Sequence, residues 1–284
     1  MESDPPHKRD YDAGMNGSII FGIAALLPLL PAAFWPAPRQ DETGQGEGRL
    51  FWLLLGVATV GPIALQISAG RGLWQSGFSA TLWTIVASTM LVYFVLCLIS
   101  GSIRKLRPLL LPYLVILSVI ALLWSSVPDR AVAGESMTVW LQLHIGVSVV
   151  TYALITVAAT AALGVWLKER ALRSRKTSHL VAGLPAVSDG EAAQFGLLTA
   201  AEIVLGLGLL SGMATQFYIA GSLMALDHKT TLSITAFVVL GGLLVMQRSS
   251  GLRGRTATRL VLMIYLLMTL AFPGVKFVTD VVLS

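Results

Sequence analysis

The chain has 284 residues, of which 55% are hydrophobic and 12% charged, and its mean hydropathy is +0.75. This composition excludes an ordinary soluble domain, in which charged residues make up about 25% of the total. The net charge of +5 could suggest a nucleic-acid partner, but the basic residues gather in connections between apolar segments, as in membrane proteins. We therefore expect an all-α, polytopic transmembrane helical bundle whose partner is the lipid bilayer, not nucleic acid.

Eight apolar segments follow one another, each near the roughly 20 residues that a helix needs to cross a bilayer. The predicted spans are Ser18–Trp35, Phe51–Ser68, Gly77–Ser100, Pro108–Trp124, Thr138–Leu167, Phe195–Ala220, Thr230–Gln247 and Leu260–Leu283. Residues 1–17 are predicted to be a disordered tail, and residues 18–284 a single transmembrane domain. Pro28 and Pro31 make the first span the least regular, and a signal-like segment is its alternative.

The distribution of Lys and Arg predicts which way the spans face. Odd-numbered connections carry Arg39, Arg49, Arg104, Lys105, Arg107, Lys168, Arg170, Arg173, Arg175, Lys176, Arg248, Arg253, Arg255 and Arg259. The other side carries only Lys8, Arg9, Arg71, Arg130, Lys229 and Lys276. Because basic loops stay in the cytoplasm, we expect both termini outside, and the longest cytoplasmic connection, from Lys168 to Gln194, against anionic lipid or water.

Two histidines, His144 and His228, are the candidate functional residues. His144 lies near the outer end of the fifth span, and His228 immediately precedes the seventh, which also begins outside. Two neutral imidazoles that bind one iron from opposite sides commonly hold b-type haem in a helical bundle. Trp140 would lie at the same membrane face, and Lys229 and Arg130 could pair with haem propionates.

Simpler explanations exist for each of these residues. Tryptophans at this depth often belong to the interfacial belt, and basic residues at span ends often anchor to lipid headgroups. His228 alone could be an ordinary interfacial residue. A transition-metal site is a weaker alternative, because only Asp227 is available as a further ligand nearby.

The residues around the histidines resemble the cytochrome c assembly (CcsA/CcmC-like) superfamily, most closely its small YpjD/HemX-type branch. The matching stretches are Trp140-Leu141-Gln142-Leu143-His144-Ile145, Tyr152-Ala153, Leu167-Lys168, Asp227-His228-Lys229-Thr230-Thr231-Leu232-Ser233, Gly251-Leu252-Arg253-Gly254-Arg255 and Gly274-Val275-Lys276-Phe277. The similarity covers about residues 51–284. It implies haem ligands at His144 and His228, a role in cytochrome c biogenesis in a bacterial inner membrane, and other assembly proteins as partners.

One feature departs from this superfamily. Its haem-handling members carry a tryptophan-rich external segment between the two histidines, whereas Trp166, at the cytoplasmic end of the fifth span, is the only tryptophan there in this chain. The external connection before His228, about Gly221 to Asp227, is short. The sequence therefore supports haem binding by this protein more strongly than delivery of haem to another protein.

Two other functions remain open. A small-molecule or ion transporter would use Glu202 with the polar residues Gln66, Arg71 and Gln142, and a regulatory membrane protein would act without haem. We expect no enzymatic activity, since no nucleophile–base pair or activated-water site is visible.

Overall fold

A computed structural model describes residues 19–34, 45–69, 77–125, 139–175, 178–221, 228–252 and 254–282. Within these ranges every regular element is a helix. The helices are α1 (Ile19–Phe34), α2 (Gln45–Ala69), α3 (Phe78–Ile99), α4 (Gly101–Arg104), α5 (Arg107–Leu123), α6 (Val139–Ser174), α7 (His179–Ala182), α8 (Val187–Ala220), α9 (His228–Ser249) and α10 (Arg255–Thr269). The chain continues from α10 through π-helical turns at Leu270–Gly274 and Val278–Val282.

Six helices of the described ranges are long and apolar enough to cross a membrane: α2, α3, α6, α8, α9 and α10 with its continuation. Helices α1 and α5 are also apolar but shorter. They coincide with the first and fourth predicted spans. The all-helical, multi-pass membrane architecture is therefore confirmed, while the count of eight spans and the external termini stay predictions. The predicted tail, residues 1–17, lies outside the described residues.

The first span is helical on both sides of its prolines. Helix α1 contains a turn at Leu27 and Pro28, where the proline has no backbone N–H to donate. The segment packs closely on its neighbours: a Cβ on Gly22 would lie 2.8 Å from Leu122 of α5, and one on Gly61 of α2 would lie 3.3 Å from the Ala25 carbonyl oxygen. These two glycines allow α1 to lie against both helices.

The connection predicted between Lys168 and Gln194 is much shorter in the structure. Helix α6 has 36 residues and continues to Ser174, and α8 already begins at Val187. At 1.5 Å per residue α6 is about 54 Å long, so it extends well beyond the roughly 30 Å hydrocarbon core, as its length predicts. Hydropathy does not mark the ends of these helices, because their terminal turns are polar.

Lys168 binds to the connection between α6 and α8, whereas the sequence predicted contact with lipid or water. Its Nζ donates to the carbonyl oxygens of Val181, Ala182 and Leu184, at 2.9, 3.2 and 3.3 Å. An ammonium group at the C-terminal end of a helix satisfies carbonyls that have no partner within the helix. Lys168 thereby holds α7 and the chain after it against α6.

Helix α6 is the centre of the bundle. It packs against α3, α5, α8 and α10, and every residue from Thr151 to Ala162 is buried. Alanine and threonine make this helix narrow enough for close neighbours. Each threonine hydroxyl in this stretch donates to a backbone carbonyl oxygen in the preceding turn of the helix. Thr156, for example, donates to the Tyr152 carbonyl oxygen at 2.8 Å.

Helix α8 runs antiparallel to both α6 and α9, in a defined register. The glycine contacts place Gly190 of α8 beside Val165 of α6, and Gly212 beside His144. In the same way α8 and α9 meet at Glu202 and Gly241. The start of α6, the end of α8 and the start of α9 therefore lie at one end of the bundle, which we call the His144 end.

Candidate functional site

The His144 ring is fixed against α8. Its Nδ1 lies 3.1 Å from the Gly208 carbonyl oxygen and 3.2 Å from the Ser211 Oγ. Because a carbonyl oxygen can only accept, the bond to Gly208 assigns the proton to Nδ1. The lone pair of the neutral ring is then on Nε2, the atom available to a metal or another donor.

Glycine at position 212 allows this close approach. A Cβ added there would lie 3.0 Å from His144 Cε1 and 3.3 Å from Nδ1, which is closer than ordinary van der Waals contact. Glycines in a membrane helix ordinarily allow close packing of the backbones, which would be the first explanation for Gly206, Gly208 and Gly212. In the structure, Gly208 also provides the acceptor for the imidazole and Gly212 the space for it. Nothing in one sequence reveals the register that brings these residues together.

Trp140 lies one turn before His144 on α6. Residues four apart share a helix face, so the indole and the imidazole start from the same side of α6. Trp140 is half-exposed, with an exposed fraction of 45%. Its position at the His144 end agrees with the predicted one.

His228 and Lys229 are the first residues of α9, and only their backbone is described. If the register of Glu202 with Gly241 is extended along α9, the His228 backbone falls beside Thr215 of α8. That position is about 6 Å, or roughly one helical turn, farther along α8 than Ser211, which contacts His144. The structure therefore brings both histidine positions to one end of the bundle, next to the same helix. Arg130 and Asp227 lie outside the described residues.

An aromatic cluster closes the same end of the bundle. The Trp124 ring meets Phe78 and Phe277 edge-on, with centroids 6.2 and 6.3 Å apart. Phe78 and Phe277 also contact each other at 5.3 Å. Trp124 thus joins the end of α5 to the start of α3 and to Phe277, which lies between the two π-helical turns.

A hydroxyl network in the bundle core was not predicted from the sequence. The Tyr152 hydroxyl lies 3.1 Å from Thr269 Oγ1 and 3.3 Å from the Tyr265 hydroxyl, which also bonds to the Tyr113 hydroxyl. The π-helical turn Leu270–Gly274 follows directly after Thr269. The network satisfies hydroxyl groups that would otherwise be unpaired at membrane depth, and it joins α5, α6 and α10.

Of the polar residues expected for a transport path, Gln66, Gln142 and Glu202 are described, and they lie on three different helices. The Gln66 amide donates to the Ala80 carbonyl oxygen at 3.1 Å and to Thr84 Oγ1 at 2.7 Å, which joins α2 to α3. Gln142 is exposed on α6, and Glu202 lies between α8 and α9. Gln66 and Glu202 thus belong to different helix contacts, and Arg71 lies outside the described residues.

A cavity of about 340 Å³ lies at the opposite end of the bundle, between α8, α9 and α10. Gln194, Gln247, Arg248 and Thr258 are among the residues that line it. It is separate from His144. In the described part of the chain, no three His, Cys, Asp or Glu side chains are grouped as ligands for a metal ion.

The fold and this site define a multi-pass helical membrane protein with an oriented imidazole at one end of its bundle. Comparison with known proteins assigns the class more closely. The family model described as "Cytochrome C assembly protein" matches residues 73–283, from just before α3 to the last helix, and so includes both histidines. The chain belongs to the cytochrome c assembly protein family.

A relative from Azospirillum brasilense is similar over almost the whole chain. It is 45% identical over 271 residues, which are 95% of this chain and 100% of the relative. It is described as an uncharacterized 28.8 kDa protein in the nifR3-like 5' region. No solved structure matches the chain.

Proposed function

We propose that this membrane protein binds b-type haem through His144 and His228 at the outer face, as an accessory or component of cytochrome c biogenesis in a bacterial inner membrane. The observation that carries the proposal is the orientation of His144, whose Nδ1 faces the Gly208 carbonyl oxygen at 3.1 Å. Haem bound here would supply an iron for the two imidazoles to ligate, and the role we propose for the protein is non-catalytic.

The environment of His144 fits an axial ligand. Histidines that bind metals almost always donate their other ring N–H to a carbonyl or carboxylate, which fixes the tautomer and makes the ligand nitrogen more basic. Gly208 accepts this bond here, and Ser211 Oγ lies within reach of the same proton at 3.2 Å.

Helix α8 is the common support for both proposed ligands. It binds the His144 ring directly, and extension of the α8–α9 register along α9 would bring the His228 backbone about one turn farther along α8. A haem bound by both histidines would therefore lie beside α8. Trp140 would cover one side of that group, and Lys229 and Arg130 would neutralise its carboxylates at the water boundary.

The proposal is limited to binding. The connection between α8 and α9 is short, and it contains no tryptophan between Gly221 and His228. Such a segment has too little surface to present haem to another protein by itself. We therefore propose that haem is retained at the site, and that delivery would require other assembly proteins.

The direct experiment is purification in mild detergent from cells with ample haem, followed by an absorption spectrum and a haem assay. We expect haem in the wild type and in the His179→Ala control, because His179 is exposed in the α6–α8 connection. His144→Ala and His228→Ala should each retain at most about one tenth of the wild-type haem. Loss of a ligand should lower the affinity by more than the roughly 10–100-fold that follows loss of a group hydrogen-bonded to a ligand. A folded wild-type protein without haem, or unchanged haem content in either variant, would disprove the proposal.

A further inference from the structure

Glu202 is a carboxyl group in the middle of a membrane-spanning helix. It lies about 22 Å from the start of α8 at Val187 and about 27 Å from its end at Ala220, by helical rise. No other Asp or Glu occurs between positions 192 and 226. Its neighbour Ile203 has an exposed fraction of 62%, as expected for a residue that faces lipid. Counted from Phe195, where the predicted span begins, Glu202 lies about 10 Å inside the apolar segment.

The carboxyl packs on the backbone of α9. A Cβ on Gly241 would lie only 2.8 Å from Glu202 Oε1, so the glycine leaves the space that the carboxyl occupies. The other oxygen, Oε2, is buried and has no hydrogen-bond partner among the described residues. The surroundings are apolar, with Leu205 and Leu240 buried nearby.

The charged groups of α9 and α4 lie away from this carboxyl. On α9, Arg248 is seven residues from Gly241, about 10 Å along the helix, and Lys229 is farther away toward the other end. On α4, the Arg104 side chain contacts other helices. Its Nε donates to the Cys97 carbonyl oxygen at 3.0 Å, and its guanidinium lies over the Trp52 ring.

The titratable groups of α6 are also separate from Glu202. The antiparallel register places Tyr152 near this level, but its hydroxyl faces Thr269 of α10 at 3.1 Å. His144 binds α8 at Gly208 and Ser211, which are six and nine residues farther along the helix. None of these groups supplies a cation beside Glu202.

We propose that Glu202 is a proton-binding site within the predicted membrane span, at which the carboxyl holds a proton while α8 and α9 are packed as described. An ionised carboxylate without a cation or water is strongly disfavoured inside a membrane span, whereas a neutral acid fits between the apolar side chains of α8 and α9. A metal cation is a poor occupant, because Na⁺-like and Ca²⁺-like ions need several oxygen ligands and the neighbours are apolar. Loss of the proton requires the α8–α9 contact to open.

This site has a consequence for the histidines that rests on the function proposed above. Helix α8 positions His144 through Gly208, and α9 begins at His228. Glu202 lies at the contact between these two helices. Release of the proton would therefore change the separation of the helices that carry and orient the two ligands. The proton site itself does not depend on haem.

The test is covalent labelling with the membrane-soluble reagent dicyclohexylcarbodiimide. A protonated carboxyl transfers its proton to a carbodiimide nitrogen while the carboxylate oxygen adds to the central carbon. The resulting O-acylisourea rearranges to a stable N-acylurea, which peptide mass spectrometry locates. We expect Glu202 to be labelled at low pH and labelling to decline as the pH rises. Glu191, at the start of the same helix, should react instead with a water-soluble carbodiimide.

Two neighbouring glycines give a matched pair of variants. Gly241→Ala introduces a Cβ 2.8 Å from Glu202 Oε1, whereas Gly242 has open space around it. We expect Gly241→Ala to reduce labelling of Glu202 several-fold and Gly242→Ala to leave it unchanged, with Glu202→Gln as the unlabelled reference.

Two results would overturn the proton site. One is folded wild-type protein in which Glu202 is never labelled at any pH. The other is labelling that Na⁺ suppresses at constant pH, which would indicate a metal-cation site. The same labelling of Glu202 in His144→Ala would support a proton site independent of haem, and loss of haem binding alone would leave the proton site standing.

Discussion

Gly212→Ala is the sharpest test of how the protein orients His144. The new methyl group would lie 3.0 Å from Cε1 and 3.3 Å from Nδ1 of the imidazole, so the ring must move away from α8. A shift of a few tenths of an ångström lengthens the 3.1 Å bond from Nδ1 to the Gly208 carbonyl oxygen. The substitution therefore weakens the bond that fixes the tautomer without removing the ligand.

The substitution should affect the stability of α8 and the affinity for haem differently. Alanine is more favourable than glycine in a helix by about 1 kcal/mol, so α8 itself should become slightly more stable. Loss of a partner that orients a metal-bound histidine typically costs about 10–100-fold in affinity. We expect haem affinity to fall by about 10-fold while the melting temperature stays the same or rises. A weaker helix cannot then explain the loss of haem.

The assay is titration of haem into the purified apoprotein in detergent, followed by absorbance. Gly196→Ala is the matched control, because it also lies on α8 and has nothing within 4 Å of an added Cβ. The control should bind haem like the wild type. Equal affinity in Gly212→Ala and Gly196→Ala would refute the role assigned to the contact between His144 and α8.

Three further changes test the fold and the topology. Gln66→Leu removes two hydrogen bonds to α3. It should lower the free energy of unfolding, measured by titration with sodium dodecyl sulfate, by about 0.6–1.7 kcal/mol per bond, without loss of haem. An unchanged free energy of unfolding would contradict the contact. Tyr152→Phe should destabilise the core by a similar amount, about 1 kcal/mol, and leave haem content unaltered, which an unfolding titration and a haem assay would check together. A cysteine placed beside His228 in a Cys97→Ser background should react with an impermeant thiol reagent from outside only, because the distribution of basic residues predicts that face; labelling from the cytoplasm alone would reverse the topology.

The sequence predicts the helices of this fold well because hydropathy is the dominant constraint at membrane depth. It fails at the ends of α6 and α8. Residues after Lys168 and before Gln194 are polar, yet they continue both helices to Ser174 and from Val187. Outside the bilayer, helix formation depends on local propensity and capping, which a hydropathy window does not measure.

The site was predictable only in part. Charge asymmetry and apolar context singled out His144, but its partners Gly208 and Ser211 lie more than sixty residues away on another span. Their contact depends on the register of α6 with α8, which one sequence does not specify. The tyrosine network escaped prediction for the same reason, because Tyr113, Tyr152 and Tyr265 come from three different helices.

The central claim is that His144 and His228 bind one haem iron from opposite sides. Electron paramagnetic resonance of the oxidised, haem-loaded protein tests it most directly, because two imidazole ligands give low-spin iron. We expect a low-spin signal in the wild type, and a high-spin signal from whatever haem remains when either histidine is replaced by alanine. A high-spin wild type, or a low-spin signal that survives in either variant, would contradict the account.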